Sequence, residues 1–258
     1  MTSQSSLSFT SFVKNEINDY KALFSAIPSI TVTLFCVSVV VMNLMASKAV
    51  ISTPYLTATG GLLISWAPFL CMDVVSKHFG PKAATKLNII GLLVNLACVA
   101  LFEIVSLIQI DTTGAKADYS AFNSVYRCTW FVLVASSVAF VLSGVVNNFL
   151  NYGIGKLFKK KPDGKIAYMT RCYISTFVGQ YVDNALFLAL LYLVFLPSVA
   201  NIHASSPLAV FGGALLGSIM ELITEVIFSP LGYSVTLKWK ANSVGKEYFL
   251  YREQHKSA

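Results

Sequence analysis

Six stretches of mostly apolar residues divide the chain: Pro28–Ile51, Thr59–Ser76, Leu87–Ile110, Tyr126–Leu150, Cys172–Pro197 and Pro207–Leu231. A helix needs about 20 such residues to cross the hydrocarbon core of a bilayer. The pattern therefore predicts an all-α polytopic membrane protein with six transmembrane helices. The second stretch is the weakest, because its strongly apolar part, Leu62–Val75, is short and broken by Pro68. Three regions follow: a polar N-terminal segment 1–27, a transmembrane domain 28–233 and a basic tail 234–258. The N-terminal segment lacks the charged-then-apolar order of a cleaved signal.

Between the apolar stretches the basic residues alternate. Lys77, Lys82 and Lys86 follow the second stretch, and Lys156, Lys159, Lys160, Lys161, Lys165 and Arg171 follow the fourth. The tail holds Lys238, Lys240, Lys246, Arg252 and Lys256, whereas the other gaps hold only Lys48, then Lys116 and Arg127, then none in Ser198–Ser206. Excess Lys and Arg mark the cytoplasmic side, so both termini are expected inside, an arrangement that an even number of spans satisfies.

Composition agrees with the pattern. Of 258 residues 55% are hydrophobic and 12% charged, against about 25% charged in soluble domains. The net charge of +7 resides in the inter-span gaps rather than in a basic stripe with interleaved aromatics, so no nucleic-acid partner is expected. Cys36, Cys71, Cys98, Cys128 and Cys172 form no CxxC pair and have no histidine nearby. They suit apolar packing better than a disulfide framework or a zinc site, and neither metal nor cofactor is expected.

Carboxylates within the apolar stretches are the candidate chemistry, since each ionised residue at mid-span costs about 2.5–3.5 kcal/mol on insertion scales and such residues are usually interior and functional. The acids are Asp73, Glu103, Asp183, Glu221 and Glu225. Trp66 and Asp73 are seven apart and share a helical face; Gln180, Asp183, Asn184 and Phe187 make one polar stripe ending in an aromatic. Gly213, Gly217, Glu221 and Glu225 step by four, and Gly144, Asn147, Asn148, Asn151 and Gly155 make a comparable stripe. The first stretch offers Asn43 and Lys48, five apart.

Structural roles compete for several of these. Gly213 and Gly217 fit close helix packing better than substrate contact. Asn147, Asn148 and Asn151 could cap or cross-link helices, Glu103 lies toward an outer end, Glu225 could reach water, and Lys48 could snorkel. Lys77 could pair with Asp73 one turn away. Asp183 has no basic residue within two turns of its own helix. A functional role is expected for Asp73 and Asp183.

The two halves echo each other: "VVMNLMASK" (Val40–Lys48) against "VVNNFLNYGIGK" (Val145–Lys156). Three-span halves insert with opposite orientation, the inverted-repeat plan of many carriers, and a short, Pro-interrupted span marks a mid-membrane site.

The sequence resembles the queuosine precursor transporters, or vitamin uptake transporter family. The resemblance lies in "NLMASK" (Asn43–Lys48), "WAPFLCMDVVSKHFGPKAA" (Trp66–Ala84), "RCYISTFVGQYVDNALF" (Arg171–Phe187) and "ELITEVIFSPLGYSVTLK" (Glu221–Lys238), which touch five of the six stretches. It implies a carrier in a prokaryotic plasma (inner) membrane that imports 7-deazaguanine precursors of queuosine: the 7-cyano or 7-aminomethyl base, or queuine.

Such a purine-like base presents two donors, N1–H and an exocyclic amine, beside the O6 acceptor. A carboxylate can accept both donors bidentately, an amide or ammonium can donate to O6, and an aromatic face can stack the ring. Asn43, Lys48, Trp66, Asp73, Asn147, Gln180, Asp183, Asn184 and Glu221 supply those groups. Asp183 or Asp73 is expected to read the base edge, and the other to bind the 7-substituent amine or a coupling proton.

Two other classes compete. A substrate-binding subunit of a multi-component vitamin importer would also have six spans, but the small-residue spacing of its first span is missing, with Ala46 and Ala49 three apart. A carrier of another heterocyclic nutrient would keep the same architecture. An intramembrane enzyme is disfavoured because His78, His203 and His255 fall in expected loops or the tail and no nucleophile or metal motif accompanies them. A homodimer through a small-residue face is a further option.

Overall fold

The computed structural model describes residues 9–46, 49–52, 57–108, 123, 130–158, 163–200 and 206–255. In chain order these form α1 (Phe9–Ala26), α2 (Ser29–Ala46), a hairpin of β1 (Ala49–Ser52) and β2 (Thr57–Thr59), a 3-10 turn (Gly60–Leu63) and α3 (Trp66–Phe79). There follow α4 (Pro81–Leu107), α5 (Trp130–Gly155), α6 (Lys165–Leu188), α7 (Pro207–Ala241) and α8 (Lys246–His255). α5 ends in a 3-10 turn, Lys156–Phe158, and α6 runs on as a π-helical segment, Ala189–Ala200.

Four helical segments are long and apolar enough to cross a bilayer: Pro81–Leu107, Val134–Phe158, Lys165–Phe195 and Pro207–Ala241. A fifth exists if Phe12–Ala26 and Ser29–Met45, bent by 105°, count as one broken span. The protein is thus a multi-pass, almost wholly helical membrane protein, and this count departs from the expected six. The second stretch yields only 14 helical residues in α3, about 21 Å of rise against a hydrocarbon core of about 30 Å. Pro68 leaves α3 intact because it lies in the first turn, where its missing N–H is needed least. The end of the first stretch is not helical either, since Ala49–Ser52 pairs antiparallel with Thr57–Thr59.

α3 and α4 meet through one residue. Gly80 has φ 94°, its N–H donates to Ser76 O, and Pro81 opens α4. Glycine adopts that left-handed conformation without a Cβ penalty, and proline is preset for the first helical position. The expected basic loop around Lys77–Lys86 is therefore two helix ends.

The helices pack with polarity reversed relative to a soluble fold. Leu93, Leu101, Ile104, Ile227 and Leu231 face outward, while Asp73, Asn88, Asn147, Asn151, Arg171, Gln180 and Glu225 are buried. Lipid tails offer no hydrophobic drive between helices, so packing and interhelical hydrogen bonds must hold them. Asn88 Nδ2 on α4 donates to Phe140 O on α5 at 3.2 Å, and Asn148 Nδ2 on α5 donates to Thr85 Oγ1 at 3.3 Å. An apolar core including Leu23, Phe35, Phe69, Met72, Val75, Phe79, Leu87 and Trp239 fills the side formed by α1 to α4 and the end of α7. α1 is tied to α4 by Lys86, which binds Glu16 at 2.8 Å and Asp19 at 2.5 Å.

At one end of the bundle Asp163 joins two helices. Its carboxylate meets Lys77 of α3 at 3.1 Å and Lys240 of α7, and its backbone carbonyl accepts from Tyr233 OH at 3.1 Å. Lys77 thus pairs with Asp163. His78 lies on α3 rather than in a loop; its Nε2 bonds Val244 O at 2.9 Å, and its ring packs edge-on against Phe79 and Trp239.

Candidate functional site

A column of polar side chains runs between α3, α5, α6 and α7, and helical spacing builds it. Ser143, Asn147 and Asn151 step by four along α5; Arg171, Thr176, Gln180 and Asp183/Asn184 follow one side of α6; Glu221 and Glu225 lie one turn apart on α7. Ser143 and Asn151 are separated by about 12 Å of helix rise, and each marks one end of the column.

The Asn151 end is sealed. Asp73 is 0% exposed, and its Oδ1 accepts from Asn147 Nδ2 at 3.1 Å and Asn151 Nδ2 at 2.8 Å, while Thr176 Oγ1 donates to Oδ2 at 3.4 Å. Asn151 Oδ1 accepts from Arg171 Nε at 2.8 Å and from Nη2. Arginine only donates, so it fixes the Asn151 amide with its NH2 group toward Asp73. Glu225, also 0% exposed, completes this end: its carboxylate, that of Asp73 and Cys172 Sγ have ligand atoms within 4.8 Å of one another. Among the described residues neither Glu225 oxygen has a hydrogen-bond partner.

The Ser143 end is partly accessible. Ser143 Oγ donates to Asp183 Oδ1 at 2.8 Å, and Asn184 Nδ2 donates to Glu221 Oε2 at 3.0 Å. Asp183 and Asn184 are half-buried, and Glu221 is nearly closed off at 7% exposure. A close approach enables the Asn184–Glu221 bond: a Cβ at Gly217 would stand 3.1 Å from Asn184 Nδ2, so Gly217 serves packing, as its spacing suggests. Between the two ends sit the buried Gln180 and Asn147, whose Nε2 and Oδ1 lack partners among the described residues.

A family model described as "Putative vitamin uptake transporter" matches residues 59–235, about two thirds of the chain. The chain belongs to the vitamin uptake transporter family. No curated protein and no solved structure matches it. Membership in a vitamin uptake transporter family goes with a small-molecule substrate carried across a membrane and not with catalysis. The matched region of this vitamin uptake transporter begins after α2 and contains every residue of the polar column.

Of the residues expected at the site, Asp73, Asn147, Gln180, Asp183, Asn184 and Glu221 occur in the column. Asn43 is bonded elsewhere, donating to Val39 O at 3.2 Å and accepting from Ser136 Oγ at 3.0 Å, about two turns before Ser143 on α5. Lys48 lies outside the described residues. Trp66 is stacked on Phe228 at 3.7 Å between ring centroids, and its Nε1 donates to Leu63 O, so one face of that platform is occupied.

Arg171, Cys172, Thr176 and Ser143 at this site are not singled out as site residues by the sequence pattern, and Glu225, a candidate acid there, is placed differently than expected. Arg171 was counted with loop charges, yet it is 4% exposed inside α6. Glu225 does not reach water, and Cys172 is no simple apolar packer: its Sγ accepts from Asn151 Nδ2 at 3.8 Å. The available signal was spacing, with Ser143 four before Asn147 and Arg171 four before Ser175.

Proposed function

We propose that this protein imports 7-deazaguanine precursors of queuosine, the 7-cyano or 7-aminomethyl base or queuine, and binds them at the Ser143 end of the column. The observation that carries the reading is the gathering of acceptors and donors there: Asp183 accepts from the Ser143 hydroxyl, Glu221 accepts from the Asn184 amide, and Gln180, toward the middle of the column, has an Nε2 without a partner among the described residues. A guanine-like edge needs that combination, two acceptors facing N1–H and the exocyclic amine and one donor facing O6. Asp183 and Asn184 are half-buried, unlike the fully enclosed Asp73.

The same reading takes the protein as a plasma-membrane carrier of prokaryotic type with both termini cytoplasmic. α2, beyond its 105° bend from α1, is one crossing, and α3 with the preceding hairpin and 3-10 turn is another, which restores six. Interrupted crossings of this kind border carrier binding sites, and α2–α4 and α5–α7 become the two inverted halves. Residues 1–27 and 234–258 then flank the transmembrane domain 28–233 on the inner side.

The test uses bacteria unable to make or import queuosine precursors, expressing this chain alone and supplied with each base. For queuine the host also receives a base-exchange enzyme. The expected result is a chain-dependent mobility shift of queuosine-containing tRNA on a boronate gel. Absence of a shift for all three bases, with the protein confirmed in the membrane, overturns the substrate assignment.

A further inference from the structure

The two buried carboxylates at the Asn151 end have opposite surroundings. Asp73 is saturated by donors: two amide NH2 groups and the Thr176 hydroxyl. Arg171 fixes one of those amides by engaging its oxygen, so Asp73 sits where a charged carboxylate belongs, with one positive charge beyond Asn151. Glu225 has no donor among the described residues and no exposure. Ionised, it would be a second negative charge beside Asp73 in a site of low dielectric, which two carboxylates sharing one region avoid by retaining a proton.

The groups facing Glu225 are Asp73 from α3 and Tyr168 and Cys172 from α6, with Glu221 one turn away on α7. None of these is a cation; Arg171 lies on the far side of Asn151, which engages it. A metal ion fits the trio of Asp73, Cys172 and Glu225 poorly, because Asp73 already turns its oxygens toward N–H and O–H donors and a guanidinium lies just beyond. A proton fits, since it needs only one Glu225 oxygen and leaves every other bond in place.

We propose that Glu225 is the proton-carrying residue of this transporter: its carboxylate is protonated from one side of the membrane and releases that proton to the other as the base crosses. The coupling rests on the function proposed above. One helix serves both ligands, because Glu221 bonds Asn184 at the accessible end and Glu225 lies one turn further along α7 at the sealed end. A base that draws on Glu221 therefore acts on the helix that holds the proton.

Two measurements on the purified full-length chain in liposomes separate the inference from the substrate assignment. The first is infrared difference spectroscopy at neutral pH without substrate. The wild type is expected to show a protonated carboxyl C=O band that E225Q loses and D73N retains; a band unchanged in E225Q overturns the proposal. The second is uptake of radiolabelled 7-cyano-7-deazaguanine. An inwardly directed pH gradient of about two units is expected to drive wild-type accumulation toward a limit of about 100-fold at one proton per base, since each unit is tenfold, whereas E225Q gains nothing from the gradient. Accumulation driven by sodium instead, or equal gradient dependence in E225Q, overturns coupling through Glu225. Should the wild type show the band and yet fail to exchange the labelled base in counterflow, the substrate assignment falls while the protonated Glu225 stands.

Discussion

Asn151 bridges Arg171 and Asp73: its Oδ1 accepts from the guanidinium at 2.8 Å while its Nδ2 donates to the carboxylate at 2.8 Å. One amide thus serves two buried charges of opposite sign on α6 and α3. Removing it leaves Arg171, at 4% exposure, without the acceptor it has here. Breaking a buried charged arrangement costs about 3–5 kcal/mol. Asn151→Leu should therefore lower the thermal unfolding midpoint of the detergent-purified protein strongly, and abolish uptake. A midpoint within a degree or two of the wild type, about what a few tenths of a kcal/mol would give, would contradict this account of the bridge.

Asp183 and Glu221 are expected to matter through charge. Asp183→Asn and Glu221→Gln preserve shape and remove a charged acceptor, and hydrogen bonds to charged groups contribute about 1.5–3 kcal/mol. Uptake should fall about ten- to a hundredfold in each variant at equal membrane abundance. Ser143→Ala, which removes a hydroxyl donor to Asp183 at 2.8 Å, should reduce uptake only a few-fold. The order of the three variants in initial-rate uptake is the check.

Two glycines on α7 should part company. A Cβ at Gly217 would lie 3.1 Å from Asn184 Nδ2, whereas one at Gly213 would meet only Leu188 Cδ1, at 3.9 Å. Gly217→Val is expected to push Asn184 away from Glu221 and cut uptake with near-normal expression, while Gly213→Ala is tolerated. Equal loss in both variants would mean that the small-residue stripe acts through helix packing alone.

Asp163 should contribute a pH-dependent fastening. Its hydrogen bond from Lys240, and then the one from Lys77, hold its carboxyl below the ordinary value of 3.8. A group whose folded-state pKa is depressed stabilises the fold fully above its unfolded value and loses that contribution as pH falls through the folded value. The midpoint difference between wild type and Asp163→Asn should stay constant above about pH 5 and narrow below about pH 4. The pair is partly exposed, Lys240 at 66%, so the difference should also shrink in high salt. Midpoints measured across pH, at low and high salt, give the answer.

Much of the architecture was legible because lipid imposes a simple pattern. Long apolar runs marked α4, α5, α6 and α7, and acids inside such runs pointed to Asp73, Asp183 and Glu221. The failures came where tertiary context overrode that pattern. Residues Thr59–Ser76 read as one continuous helix by hydropathy, whereas the protein divides them among the last residue of a strand, a 3-10 turn and most of a 14-residue helix. Arg171 looked like an inner-side loop charge because a charge census cannot see that the helix begins six residues earlier, at Lys165. Glu225 looked able to reach water because its own helix could not reveal α3 and α6 closing over it. Asn43 shares a motif with residues that reach the column, but its partner Ser136 holds it elsewhere.

The single-residue joint at Gly80 limits how Asp73 can travel. α3 ends at Phe79 and α4 begins at Pro81, so no slack chain lets one helix slide past the other. A joint of that kind transmits rotation but not displacement. Asp73 lies two turns from it, so its distance from the start of α4 is set by two turns of helix and one residue. His78, bonded to Val244 O beside the joint, fastens that end of α3 to the turn that leads into α8. The C-terminal helix and the buried carboxylate of Asp73 thus share one short, slack-free connection through α3.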